Sequence, residues 1–330
     1  MERKSIMDKI GFTTSIPVEI ILAAGKIPVD LNNIFIASEQ ARQLVDVAED
    51  AGYPRTTCGW IKGLYAVALE NDLEAVIAVM QGDCSNTQAL METLQLKNMN
   101  IIPFAYPFDR DKESLRAQMD KLIKLFQVDW ESVQRVKTDL DRIRCLCREI
   151  DLMTWRDNLV SGGENHYYLV SSSDFNGNPE KYEQDLVSFI SQARTRQPYH
   201  DEVRLAYIGV PPIFTDLYDV LETMGARVVY NEVQRQFSMP FAAKDVVEQY
   251  SLYTYPYGAF ARLEDIQKQL AQRDIDGIIH YTQTFCFRQI EDMIYRQKLD
   301  LPFITLEGDQ PGKVDARSRM RLEAFVSMLR

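Results

Sequence analysis

The sequence predicts an α/β protein made of two Rossmann-like doubly wound parallel-sheet domains with a helical arm between them. Three observations predict it. Short β-rich runs alternate with longer stretches of helical period, as parallel strands and crossover helices do. The alternation occurs twice, within residues 1–108 and again within residues 161–330. Residues 109–160 are long, charged and helical in period without a strand signal, and SGGEN at 161–165 breaks that pattern. The expected units are therefore an N-terminal α/β domain (1–108), a helical arm (109–160) and a C-terminal α/β domain (161–330).

In the first half, residues 27–31 read as a strand and 38–51 as a helix ended by Gly52 and Pro54. Residues 59–70 read as a helix, 75–80 as a buried strand, 87–96 as a helix and 100–106 as a strand closed by Pro107. The arm reads as two or more helices. In the second half, 205–210 is a strand followed by Pro211 and Pro212, and 214–224 a helix capped by Gly225. Strands are expected at 227–231, 277–281 and 302–306, and helices at 263–273, 288–299 and 318–329.

Length and composition bound the function. The 330 residues suffice for two domains, and an apolar share of 46% supports full-sized cores. A net charge of −11 argues against nucleic acid and anionic membranes, which are bound through clustered Lys and Arg. The longest apolar runs, at 19–25 and 74–80, are far shorter than a membrane span. The stretch MERKSIMDKIGFTTSIP shows no leader-like apolar core, so a cytoplasmic location is expected. Five cysteines at these spacings do not form a small disulfide scaffold.

Three of the cysteines stand where a strand or turn gives way to a helix. Cys84 follows the strand at 75–80 through QGD, Cys286 follows 277–281 through TQTF, and Cys58 precedes the helix at 59–70. Open α/β sheets bind ligands beyond the carboxyl ends of their strands, so two facing units would present all three thiols to one cleft. The positive end of a helix is expected to lower a thiol pKa. Each cysteine taken alone also reads as a small buried hydrophobe. Three thiols would leave a metal centre one ligand short, as a reactive centre needs. Spacing alone does not choose the metal: zinc sites usually show C-x2–4-C pairs, absent here, while iron–sulfur clusters tolerate widely spaced thiolates.

The other candidates are weaker. Cys145 and Cys147 lie two apart within a helical run, point in different directions and read as structural. His166, His200 and His280 are scattered, with His280 on a strand as a core or cleft residue. SSSDFNG at 171–177 reads as a polar loop. Glu307 and Asp309 follow a strand and read equally as cleft or solvated residues. Thr57, Ser85 and Thr284 read as hydrogen-bond partners of the thiols or as helix caps, with capping favoured for Ser85. Walker A, G-x-G-x-x-G and G-x-S-x-G signatures are missing, so nucleotide binding and serine hydrolysis have no support.

The order of several boxes resembles the 2-hydroxyacyl-CoA dehydratase and benzoyl-CoA reductase family, in its cluster-bearing component. The likeness is carried by GFTTSIPVEIILAAGKIPVDL, CGWIKG, GDCSNTQALME, VSGGENHYYLV, RLAYIGVPP with MGARVVYNE, DGIIHYTQTFC, PFITLEGD and RLEAFVSML, along nearly the whole chain.

The resemblance implies a 4Fe–4S cluster held by Cys58, Cys84 and Cys286, with the fourth iron carrying water, substrate or another ligand. It implies an ATP-dependent iron–sulfur activator protein delivering single electrons at low potential. It also implies pairing as a homodimer or as a heterodimer with a related subunit. The reaction would be a radical dehydration by a lyase or a low-potential reduction, on an acyl-CoA or another small molecule. With five thiols, one conventional cubane is expected per chain. Ser15 and Glu19 of the opening box would be substrate-cleft residues, although Glu19 also reads as a first-turn carboxylate favoured by the helix dipole. Two other readings stand beside this one: an electron-relay, cluster-holding partner subunit, and a non-catalytic homologue that binds a small ligand.

Overall fold

Residues 9–200 and 203–330 are described in the computed structural model. The first eight residues, which begin the stretch without a leader-like core, lie outside them.

The first half runs β1 (Lys9–Phe12), α1 (Val18–Ala23), β2 (Ile27–Asp30), α2 (Leu31–Ala37), α3 (Ala41–Asp50), α4 (Gly59–Glu70), β3 (Ala75–Gln81), α5 (Thr87–Leu96) and β4 (Ile101–Ala105). Its strands form a parallel sheet in the order β2-β1-β3-β4. β1, which the sequence pattern did not reveal, lies in the middle: Ile10 pairs with Pro28 on one side and Ala75 on the other. The core side of β3 is apolar and buried from Ala75 to Val79, as a strand covered on both faces must be.

The helical segment contains α6 (Lys112–Phe126), α7 (Trp130–Trp155), α8 (Gly162–Ser171) and α9 (Pro179–Ala193). Capping fixes its starts. Asp111 accepts from Ser114 N and Asp129 from Ser132 N, each at 2.7 Å, and Ser161 with Glu164 forms a reciprocal capping box. These helices are not a solvated tether. Leu115, Met119, Ile143 and Phe189 share one core with Ile10, Phe12 and Val79 of the first sheet and with Tyr250 of the second half. The long α7 also reaches the second half through Asp151, whose carboxylate accepts from Arg273 at 2.9 and 2.6 Å.

The second half runs β5 (Val203–Gly209), α10 (Leu217–Thr223), β6 (Ala226–Asn231), α11 (Glu232–Phe237), α12 (Val246–Leu252), α13 (Ala259–Leu270), β7 (Gly277–Gln283), α14 (Asp292–Lys298), β8 (Phe303–Gly308) and α15 (Ala316–Leu329). A 3-10 turn, Phe287–Glu291, precedes α14, where the sequence predicts helix from 288 onward. The sheet order is β6-β5-β7-β8, again parallel, so both halves share one winding. A second core joins them: Phe35, Leu64 and Leu90 of the first half pack with Tyr207, Leu217 and Leu322 of the second. Among the described residues no helix is long and apolar enough to cross a membrane.

Candidate functional site

In each sheet the winding reverses at the first strand, between β1 and β3 in one half and between β5 and β7 in the other. Such switch points splay the loops at the carboxyl ends of the strands and leave a crevice. Here the two crevices open into one cavity. Thr13 and Thr14 line it after β1, Asp83 and Cys84 after β3, Val210 to Pro212 after β5, and Gln283 and Cys286 at the end of β7. Cys58, at the start of α4, completes the set.

The three sequence-predicted thiols therefore line one cavity, although they come from loops up to 228 residues apart. Cys58 is the N-cap residue of α4, where the Trp60 and Ile61 amides face its sulfur. The Cys84 sulfur accepts from Asn86 N at 3.4 Å, two residues ahead of the α5 N-cap position. Cys286 caps the 3-10 turn, with the Arg288 amide towards its sulfur.

The expected lowering of the thiol pKa is not found. Burial pushes Cys58 up to about 11 despite its two amides, and it raises Cys84 and Cys286 as well. Desolvating a thiolate outweighs a few amide dipoles in so enclosed a place.

The side-chain partners foreseen for the thiols lie elsewhere. Ser85 is exposed and caps nothing, and Thr284 Oγ1 donates to Gly308 O at 3.0 Å. Cys147 is buried in the core 3.8 Å from Tyr182 OH, whereas Cys145, expected to be buried, is exposed beside Arg148. His280 is a core residue, bonded through Nδ1 to Asp292 at 2.8 Å. Glu307 and Asp309 are exposed; what Asp309 supplies is its backbone carbonyl, which accepts from Gln283 Nε2 at 2.7 Å.

Neither opening-box candidate lines the cavity. Glu19 is fully buried and accepts from Arg144 Nη2 and Gln249 Nε2, both at 2.7 Å, and from Tyr250 OH at 3.0 Å. This buried carboxylate joins α1 to α7 and α12 and is not on the cavity wall. Ser15 is buried next to the cavity-lining Thr14, and its carbonyl accepts from Tyr106 OH at 2.7 Å.

Other groups on the cavity wall were not foreseen. Asp83 lies beside Cys84; enclosure pushes its carboxyl up to about 7, against the downward pull of Arg288 and of the Thr13 and Thr87 hydroxyls. Arg288 is buried, donates to Tyr255 O at 3.0 Å and Glu291 at 3.1 Å, and lies 4.6 Å from the Tyr255 ring centre. His166, from α8, and Asn33 also line the cavity.

The polar segment 171–177 is not a solvated loop. Ser171 to Asp174 are buried, Ser173 Oγ donates to Asp30 at 2.7 Å, and Asp174 accepts from Asp30 N at 2.8 Å. It clamps the end of β2 beneath the cavity. The buried pairing of serines with aspartates leaves no periodic trace in a sequence.

Among the described residues, no three His, Cys, Asp or Glu side chains stand close enough to seat one metal ion. A polynuclear iron–sulfur centre sets a different requirement, because its thiolates attach to separate irons. Three soft sulfur donors spread around one cavity wall suit that requirement.

No curated protein matches the chain. The model of one family, 2-hydroxyglutaryl-CoA dehydratase, D-component, matches residues 13–329 and so takes in both switch points and all three cysteine loops. The chain belongs to the 2-hydroxyglutaryl-CoA dehydratase D-component family, a dehydratase component of the 2-hydroxyacyl-CoA dehydratase type.

Proposed function

We propose that Cys58, Cys84 and Cys286 hold a 4Fe–4S cluster and that the chain is the cluster-bearing subunit of a 2-hydroxyacyl-CoA dehydratase or a related low-potential reductase. In this reading an ATP-dependent iron–sulfur activator supplies its electrons, and it works in the cytoplasm, paired with itself or with a related subunit. The observation that carries the reading is the opening of three thiols onto one cavity, Cys84 and Cys286 from loops at the two switch points and Cys58 from the start of α4, in a chain of this family. When bound, the cluster would supply one-electron transfer and a Lewis-acidic iron.

The chain's own residues would shape what happens around it. The apolar wall of Ile36, Leu64 and Val210 excludes water from the acyl end of a ligand. Arg288 sets a buried positive charge opposite Asp83. The Asp83 carboxyl lines the cavity beside Cys84 and, when protonated, would give its proton to a departing hydroxyl, which leaves as water. A wall with these groups favours catalysis over simple electron relay, which needs no proton-handling residue.

The test is anaerobic purification or reconstitution of the chain, followed by iron and sulfide counting. Cys286→Ala is expected to lose the cluster and Cys145→Ala to keep it. Equal iron in the two variants overturns the assignment.

A further inference from the structure

The cavity wall includes a histidine whose tautomer is dictated from a distance. The chain of bonds that dictates it starts at the backbone carbonyl of Gly162, which can only accept. Asn231 places one side-chain atom 3.1 Å from that oxygen and 2.9 Å from Asn165 Oδ1, so that atom is its amide nitrogen. The Asn231 oxygen then faces Tyr218 OH at 2.8 Å and takes the only phenolic proton. Tyr218 oxygen is left as an acceptor, and Gln234 Nε2 donates to it at 3.3 Å. The same Gln234 nitrogen lies 2.8 Å from His166 Nδ1. A nitrogen that donates to Nδ1 requires a lone pair there. The His166 proton must therefore be on Nε2.

Burial preserves this order of donors and acceptors. Asn231 and Gln234 are at most 1% exposed, so water does not scramble the chain of bonds. Turning the Gln234 amide would face its oxygen towards the Tyr218 oxygen lone pairs; the arrangement is kept even though Gln234 Oε1 has no partner. His166 stacks at a tilt on Tyr218 with ring centroids 5.2 Å apart, yet its Nε2, unlike that of His280, is not among the sealed, unpartnered atoms. Burial also pulls the His166 pKa down to about 4, so the ring is neutral at pH 7.

We propose that His166 is a neutral Nε2–H hydrogen-bond donor to the carbonyl oxygen of an acyl thioester bound in the cavity. The ligand class rests on the function proposed above; the tautomer does not. A ring held in this form cannot ligate iron through Nε2, because metal-ligating histidines donate, rather than accept, at the other nitrogen. A neutral imidazole N–H polarises a carbonyl without placing a full charge beside it.

The chain has three histidines, so histidine-selective 15N labelling resolves each of them. In the full chain, purified anaerobically and held at pH 7, His166 is expected to show the Nε2–H tautomer and His280 the Nδ1–H tautomer. Gln234→Glu, which supplies an acceptor, is expected to move the His166 proton to Nδ1. With 2-hydroxyglutaryl-CoA as the probe, the His166 Nε2 signal is expected to shift. His166→Phe should bind the probe at least tenfold more weakly with unchanged iron content, and His166→Gln should recover part of the loss. An Nδ1–H tautomer in the natural chain overturns the proposal, as does a His166→Phe variant that binds the thioester as tightly as the natural protein. Normal iron content with no thioester binding overturns the acyl thioester as the ligand of His166 while leaving the cluster assignment standing. Loss of iron from the natural chain overturns the cluster assignment, and the probe comparison still decides the role of His166.

Discussion

Arg144 Nη2 donates to the Glu19 carboxylate across 2.7 Å in a place where both side chains are at most 3% exposed. Burial alone would raise the pKa of Glu19, but the Arg144 charge and the hydrogen bonds around it hold the carboxyl below its usual range. A buried pair is costly to break from one side, because the remaining charge is left uncompensated. Glu19→Ala is expected to lose about 3–5 kcal/mol in urea denaturation, and Glu19→Gln less. The pair's contribution is present above the unfolded carboxylate pKa, roughly 4.3, and disappears as pH falls through the lower folded value. Folded Glu19→Gln should bind as much iron as the natural chain; selective loss of iron would return Glu19 to the cavity.

How much could be read from the sequence depended on how local each feature is. The boundaries of α4 and α5 match the periodic pattern; the Cys84 and Cys286 loops follow from the strand runs Ala75–Gln81 and Gly277–Gln283, and Cys58 from the start of the α4 pattern. β1 escaped because its four residues include Lys9 and Gly11, too few for an alternating signal. α9 carries legible local signals that the pattern of two α/β halves overlooks: Asn178 caps it, Pro179 opens it, and Tyr182, Leu186, Phe189 and Ile190 mark its buried face. The His166 bond chain was not legible at all. Its members come from α8, α10, β6 and α11, and only tertiary packing brings those elements together.

Gly59, next to Cys58, is a point of close approach between the two halves. A Cβ at that position would lie 2.8 Å from the Asp309 carbonyl and 3.2 Å from Ile213. The same carbonyl holds Gln283. Gly59→Ala should therefore push the β8–α15 loop away, costing about 1–3 kcal/mol by overpacking despite the better helix propensity of alanine. It should also lower iron retention by displacing Cys58. Gly258→Ala, at the N-cap of α13 with nothing within 4 Å, is the control: it should cost only the cap preference of glycine over alanine, under about 1 kcal/mol, with unchanged iron. Matching melting curves and iron counts for the two variants would contradict the close approach.

Asp30 and Asp174 are both buried and joined through the Asp30 backbone amide. Burial raises both carboxyls, and for Asp174 the Asp30 charge adds to it. An unfolded chain ionises these groups first, near pH 3.9, so stability falls as pH rises from there towards the raised folded values. Asp174→Asn removes one charge but keeps only one acceptor oxygen, whereas Asp174 uses Oδ2 for the Asp30 amide and Oδ1 for the Asn176 amide. It is expected to be less stable than the natural chain near pH 4, by about 1 kcal/mol for the lost acceptor, and to make up that deficit as pH rises towards 8 and the natural carboxyls are forced to ionise. Parallel stability profiles from pH 4 to 8 would show that the two carboxyls do not compete for one proton.

The five thiols should separate by accessibility and by acidity. Cys145 is the exposed one; Cys147 is fully enclosed, and burial pushes it up to about 12 and Cys58 up to about 11. Only the thiolate attacks an alkylating reagent, so the enclosed thiols combine poor access with a very small reactive fraction at neutral pH. In reduced, metal-free protein at pH 7.5, iodoacetamide should modify Cys145 at least tenfold faster than Cys58 or Cys147. Raising the pH towards 10 should speed Cys58 as its thiolate fraction grows, and denaturant should make all five alike. Cys145→Ser should abolish the fast phase in a mass-spectrometric time course. A fast phase that survives this substitution and maps to Cys58 would mean that the start of α4 is open to solvent and that burial does not set the acidity of the site.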